Sequence, residues 1–151
     1  MLARAKKTIL VEIMKVSTRG RYGLRILMDI AANRTGAPRM IREIAENQGI
    51  SQKYVSRLVI DLRNAGFIKS LRGVNGGYVL AKPANAISIL DVVEAMEGEI
   101  SIVECVGNPD CCGRCDGCPA RPVWKTANDS LRNALGWITL AGAISGYQNK
   151  I

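Results

Sequence analysis

Between Arg21 and Asn33, "RYGLRILMDIAAN", apolar Leu24, Leu27, Met28 and Ala31 recur at helical spacing. The stretch "TGAP" breaks that period. Ile41, Ile44 and Ala45 predict a second, short helix that stops at Gly49. Ser51 is placed to cap a third helix, whose apolar stripe is Tyr54, Val55, Leu58 and Leu62 and which Gly66 ends. Two helices joined by a tight glycine-containing turn form the helix-turn-helix pattern. The period then shortens to two. Phe67–Leu71 alternates apolar and polar, "RGVNGG" follows, and Tyr78–Leu80 resumes, predicting a β-hairpin with its turn around Asn75–Gly77. Gly76 and Gly77 are expected to supply positive φ there and to let the backbone approach a neighbour. Helix-turn-helix plus hairpin is a winged helix, so the fold class is mainly α with a small β-hairpin wing.

The helical period returns further on. Ser88 caps "ILDVVEAMEG", which Gly98 ends. After a cysteine-bearing loop, Trp124, Ala127, Leu131, Leu135 and Ile138 recur at about 3.5 residues, a stripe suited to packing helix on helix. Asn133, Gly136 and Thr139 weaken its end, and Thr139 is expected to cap a last short helix, "LAGAIS". No internal repeat or long linker interrupts the chain, so its parts are expected to pack as one unit. The expected division is an extension (1–13), a winged helix (14–83), and a cysteine loop with the C-terminal helices (84–151).

Composition narrows the classes. A chain of 151 residues, 48% hydrophobic and 23% charged, is sized and balanced for one soluble, packed domain. No apolar run reaches the roughly 18–20 residues that span a bilayer, so no membrane role is expected. The opening "MLARAKKTILVEIM" is interrupted by Glu12 and lacks a small-residue cleavage site; it reads as an extension and not as a signal peptide. The expected location is therefore cytoplasmic, where clustered cysteines bind metal or do redox work more often than they form disulfides. The chain has no histidine, which removes Ser-His-Asp and Cys-His sites, Cys/His zinc fingers and histidine bases, and no enzymatic activity is expected. Net charge is +8, unevenly shared. Residues 1–83 carry 16 Lys/Arg against 5 Asp/Glu, or +11, and residues 84–151 carry 5 against 8, or −3. One half is made to meet a polyanion and the other for something else.

Two groups of residues carry the candidate chemistry. The predicted recognition helix offers Ser51, Gln52, Lys53, Ser56 and Arg57 at its N-terminal end, the end that enters a major groove. Lysine and arginine there meet phosphates, and Gln52 or Arg57 can contact a base edge with two hydrogen bonds, worth about 1–3 kcal/mol of discrimination. A merely solvated helix face is the plainer alternative. All five cysteines fall within "CVGNPDCCGRCDGC", Cys105 to Cys118. Thiolates are soft donors for an iron–sulfur cluster or for a structural zinc, and the loop alone does not choose between them. An electron-transfer or metal-storage protein with an incidental basic half stands as the alternative from another class.

The stretches "MKVSTRGRYGLRILMDIA", "IREIAENQGISQKYVSRLVIDLRNAGFIKSLRGVNGGYVLAKP" and "ITLAG" resemble the winged-helix regulators typified by IscR, NsrR and CymR. The resemblance runs from Met14 to about Ser145. It implies a homodimer built on a long C-terminal helix that crosses its partner, gripping a palindromic operator in double-stranded DNA. It implies that Arg72, beside the glycine-rich wing and Gly76, enters the minor groove. It implies an iron–sulfur cluster, [2Fe–2S] in preference to [4Fe–4S], held by the matching triplet Cys105, Cys112 and Cys118. The histidine that some relatives use as fourth ligand corresponds to Arg121, and the acidic residue that others use corresponds to Arg21. Cys115, on the turn between Cys112 and Cys118, is the first candidate to fill that place and Cys111 the second, with a backbone group, carboxylate or exogenous ligand as the remaining choice; Cys111 also competes with Cys112 for the middle place of the triplet. CymR-type members imply the runner-up: a regulator of cysteine metabolism that works through a partner protein without a cluster.

Overall fold

The computed structural model describes residues 16–148, and the extension assigned to residues 1–13 lies outside them. The winged helix forms from α1 (Thr18–Ala32), α2 (Ile41–Gln48), α3 (Gln52–Asn64) and the hairpin β1 (Ile68–Leu71) and β2 (Gly77–Leu80). There follow α4 (Ile89–Glu97), the four-residue α5 (Glu104–Gly107), the long α6 (Arg121–Trp137) and α7 (Leu140–Gln148).

Local sequence sets most of the helix ends. Ser51 caps α3 by accepting from Tyr54 N at 3.2 Å, and Gly49 stops α2 in the left-handed conformation, φ 65°. Ser88 and Asp91 form a reciprocal capping box on α4, and Thr139 Oγ1 accepts from Gly142 N to start α7. Such a cap is worth about 1 kcal/mol. Two expected boundaries move. α1 begins three residues before Arg21, because Ser17 accepts from Arg19 N and Gly20 N. α6 ends at Trp137, so Ile138 lies just beyond the helix in extended backbone, where its carbonyl accepts from Ile89 N.

One core unites the two parts divided at residue 83. Ile26, Leu27 and Ile30 of α1 are buried together with Val55, Leu58 and Leu62 of α3, and also with Ile87, Val92, Met96 and Leu140 from further along the chain. Each fully buried aliphatic side chain contributes about 1.5–3 kcal/mol. Two glycines let α4 come close to α1. A Cβ on Gly23 would lie 2.9 Å from Met96 Cε, and one on Gly20 would collide with Glu97 Oε1.

The hairpin is antiparallel, pairing Ile68 with Leu80 and Leu71 with Gly77. Arg39 adds a bridge on its other side, exchanging backbone hydrogen bonds with Tyr78 at 2.9 and 2.8 Å. The wing's glycines divide their work differently from the sequence expectation. Gly73 takes the positive φ, 125°, and Gly76 N closes the turn onto its carbonyl at 3.0 Å. Gly76 and Gly77 have no positive φ; they serve close approach, since a Cβ on either would sit 2.5 Å from Leu71 O or Arg39 O respectively. Both obstacles are backbone, which cannot rotate aside. Gly77→Ala is therefore expected to force Arg39 away from Tyr78 and to cost about 1–3 kcal/mol. A urea melt of that variant checks it, and an unchanged midpoint would contradict it.

Candidate DNA interface and cysteine loop

The apolar stripe of α3 is consumed by the core: Val55, Leu58, Val59 and Leu62 are buried. That leaves the opposite face to solvent, with Ser51, Gln52, Lys53 and Arg57 exposed and Ser56 half-buried. Lys53 and Arg57 have no acidic partner among the described residues. Ser56 donates its proton to Gln52 O at 2.8 Å, so its oxygen remains only as an acceptor. A groove of about 480 Å³ beside this face is lined by Arg19, Tyr54, Arg57, Leu58, Ile60 and Asp61. Arg19 is paired with Asp61 at 3.0 Å, so Arg57 brings the groove its uncompensated positive charge. Ile60, 48% exposed, lies on the same face as Lys53 and Arg57, a third contact surface that sequence reasoning missed. The spacing i, i+4, i+7 carried that signal. An aliphatic group there is suited to a thymine methyl.

The wing lies on the same chain segment, immediately after α3. Arg72 is exposed in the turn that follows β1, also without an acidic partner among the described residues, and Val74 at the tip is 98% exposed. The face thus offers unpaired cations, an amide and an apolar side chain on a rigid helix, with a further cation on a short turn. That is phosphate- and base-edge chemistry.

The cysteine loop hangs between α4 and α6. Cys105 is in α5, Cys111 ends the 3-10 turn Pro109–Cys111, and Cys115 begins another, Cys115–Gly117. Cys115 N donates to Cys112 O at 3.1 Å, so the expected shared turn is present. Cys111 and Cys112 are exposed, Cys105 and Cys118 half-buried, and Cys115 buried. Desolvation first, then the charges of Glu104, Cys105 and Cys112, push the Cys111 thiol up. Desolvation likewise leads for Cys115, followed by Cys112, Cys105 and Cys111, against a lowering by Arg121. Those four sulfurs therefore lie close enough to feel one another. Among the described residues, however, no three Cys, Asp or Glu side chains are gathered as a bound metal ion requires, so the triplet Cys105, Cys112 and Cys118 is not assembled. The donor set fits an iron–sulfur cluster by its chemistry.

Arg121 takes hold of the loop from the start of α6. Its Nε donates to Cys105 O at 3.2 Å and its backbone N to Cys118 O at 3.2 Å. The first residue of α6 thereby holds both ends of the cysteine loop. Asn128, two turns further along, is buried and accepts from Ile102 N at 3.0 Å, fixing the segment of chain that enters the loop.

On α6 the predicted stripe is only partly covered: Leu131 and Leu135 are half-buried, Ala127 is exposed, and Trp124 and Ile138 are 45% and 44% exposed. Two more apolar residues stand open that the stripe did not contain, Val123 at 62% and Trp137 at 86%. With Ala127 and Ala134 between them they form a second helical row, legible in the spacing 123, 127, 134, 137.

Residues 16–145 match the model of the Rrf2 family, described as an iron-dependent transcriptional regulator. The chain belongs to the Rrf2 family. The protein named rrf2 of Nitratidesulfovibrio vulgaris is 44% identical over 128 residues, covering 85% of each chain. CymR of Bacillus subtilis is 38% identical over 128 residues, 84% of this chain and 87% of that one. The solved structure of CymR, the global cysteine regulator of that organism, superposes with a TM-score of 0.73 at 36% identity, over 87% of this chain and 96% of CymR. That of T. potens IscR gives 0.72 at 32% identity over 88% of both chains. This Rrf2-family chain is thus a transcriptional regulator with the winged-helix fold, and not an enzyme. No helix among its described residues is long and apolar enough to cross a membrane.

The loop's geometry gives a direct chemical prediction. Timed alkylation of metal-free protein, followed by peptide mapping, should label Cys111 and Cys112 before buried Cys115. A raised thiol pKa means less thiolate at a given pH, so labelling of Cys111 should still be accelerating above the ordinary thiol value of 9.0. Labelling of Cys115 ahead of the other two would contradict the described loop.

Proposed function

We propose that this chain is a dimeric, operator-binding regulator whose DNA affinity is set by an iron–sulfur cluster on the Cys105–Cys118 loop. The observation that carries this reading is the double hold of Arg121 on Cys105 and Cys118, which makes the loop and the start of α6 one piece. Cys105, Cys112 and Cys118 would hold the cluster, with Cys115 ahead of Cys111 as the fourth thiolate. When bound, the cluster supplies a centre sensitive to redox state, to iron supply and to small reactive ligands.

Every other part of the mechanism belongs to the chain's own residues. The open rows on α6, with Val123, Trp124, Ala127, Leu131 and Trp137, fit burial against the same helix of a second copy. Leu135 and Ile138 continue that surface. Two copies then present two α3 helices, and their separation follows from how the α6 helices cross. Gln52, Lys53, Ser56 and Arg57, entered by Ser51, read one major-groove half-site per copy. Arg72, on the turn that Gly76 permits, lies in the flanking minor groove, where a narrow A/T-rich tract concentrates negative potential. A loop that changes shape at Arg121 changes the α6 crossing, and each arrangement has its own operator affinity.

A cluster-free regulator of the CymR kind is the second reading. It is favoured by the dispersed thiols, which the chain leaves exposed, half-buried and buried in turn. One preparation separates the two. Protein purified without oxygen should absorb visible light and contain iron and sulfide, and chelation should change its operator affinity. Colourless protein with chelator-independent binding would replace the first reading with the second. Cys105→Ala, Cys112→Ala and Cys118→Ala should each abolish the absorption and leave α6 helical by circular dichroism. Arg72→Ala should weaken binding most on A/T-rich flanks, measured by fluorescence anisotropy. Equal loss on all flanks would reduce Arg72 to a phosphate contact.

A further inference from the structure

The carboxylate of Asp29 is a buried group to which the DNA-binding reading gives no part. It sits in the last turn of α1, three residues before the helix ends at Ala32, and its side chain is 5% exposed. Its Oδ1 accepts from Asn47 Nδ2 at 3.2 Å and its Oδ2 from Gln48 Nε2 at 3.1 Å. Asn47 and Gln48 are the last two residues of α2 before Gly49, and so before the bend that aims α3. Arg25, also on α1, grips the same place, its Nε bonding Gln48 Oε1 and its Nη2 bonding Gln48 O, each at 2.9 Å. The Arg25 guanidinium lies 4.8 Å over the ring of Tyr22, whose edge in turn meets Tyr54 of α3 with ring centres 6.0 Å apart.

The same carboxylate reaches the wing. Arg39 Nε lies 3.3 Å from Asp29 Oδ1, and it is a buried nitrogen with no hydrogen bond of good geometry among the described residues. Arg39 is the residue whose backbone pairs with Tyr78 of β2 and against which Gly77 closes. One carboxylate thus holds the approach to the recognition helix on one side and the inner edge of the wing on the other. Removing it leaves the Arg39 nitrogen buried without a counter-charge, and the residue free to move is the one that carries the wing.

We propose that Asp29 is a positioning residue for DNA recognition, fixing the wing carrying Arg72 at one separation from the recognition helix α3. It touches no DNA itself. Its effect passes through Arg39 to the hairpin and through Asn47 and Gln48 to the turn before Ser51. The proposal rests on the reading that α3 and Arg72 share one DNA site. Buried ion pairs of this kind are poor evidence of stability but can select one geometry among several.

The test uses the full chain and one operator with either A/T-rich or G/C-rich flanks, and compares Asp29→Ala, Asp29→Asn and Arg72→Ala with the parent. Asp29→Asn keeps the shape and one acceptor but loses the charge opposite Arg39, and it serves if the alanine variant does not fold. Circular dichroism and cooperative thermal unfolding show that each variant is folded. Either Asp29 variant should reduce the preference for A/T-rich flanks severalfold while keeping most binding to the G/C-flanked site. Combined with Arg72→Ala, it should remove no further flank preference, because both changes disable the same contact. Loss of affinity by one factor on both flanks, adding to that of Arg72→Ala, would overturn the proposal and leave Asp29 a structural residue. If Arg72→Ala itself changes nothing, the shared-site reading fails and takes the proposal with it.

Discussion

The close meeting of α1 with α4 is the contact on which the rest of the molecule depends. Gly20 and Gly23 present bare backbone, and Met96 and Glu97 lie where their side chains would have been. Glu97 then accepts from Ser17 N and from Gly20 N at 3.1 and 2.8 Å, supplying the α1 N-terminus with a carboxylate where the helix exposes unpaired donors. Glu94, one turn earlier, pairs with Arg132 of α6. The seam therefore joins the winged helix to everything that follows it, and does so mainly through packing. The exposed ion pairs, such as Arg42 with Glu46, contribute about 0–1 kcal/mol each and orient more than they stabilise.

That arrangement gives the cysteine loop a physical route to the DNA face. The loop is held at Arg121 and Asn128 on α6, α6 is held at Arg132 on α4, and α4 lies against α1. From α1, Arg19 pairs with Asp61 and Tyr22 meets Tyr54, both on α3. A change of loop shape need not cross empty space to be felt by the recognition helix, since each link is a packed or hydrogen-bonded contact. In a dimer the same change would also act through the α6 crossing.

What could be read from sequence was local. Ser51, Ser88, Thr139 and Gly49 act within a few residues of themselves, and the helix ends followed them. The winged helix was legible because two helical periods, a tight turn and a period of two come in unbroken order. What escaped is long-range. Nothing around Asp29 indicates that Asn47, Gln48 and Arg39 converge on it, and nothing around Gly76 and Gly77 tells close approach from positive φ. The row Val123, Ala127, Ala134, Trp137 was present in the spacing but was hidden by the stronger stripe beside it. For the cysteines, residue type speaks for soft-metal chemistry, while the arrangement of five sulfurs on short turns does not follow from their spacing.

The account stands on α3 and the wing forming one DNA-reading face that two copies present together. Hydroxyl-radical footprinting of the full chain on its operator tests this most directly. The account predicts two protected half-sites related by a palindrome, spaced by one helical turn of DNA or a multiple of it, with added protection in the flanking minor groove. A single undivided footprint, with unprotected flanks and a monomer in solution at the same concentration, would contradict it.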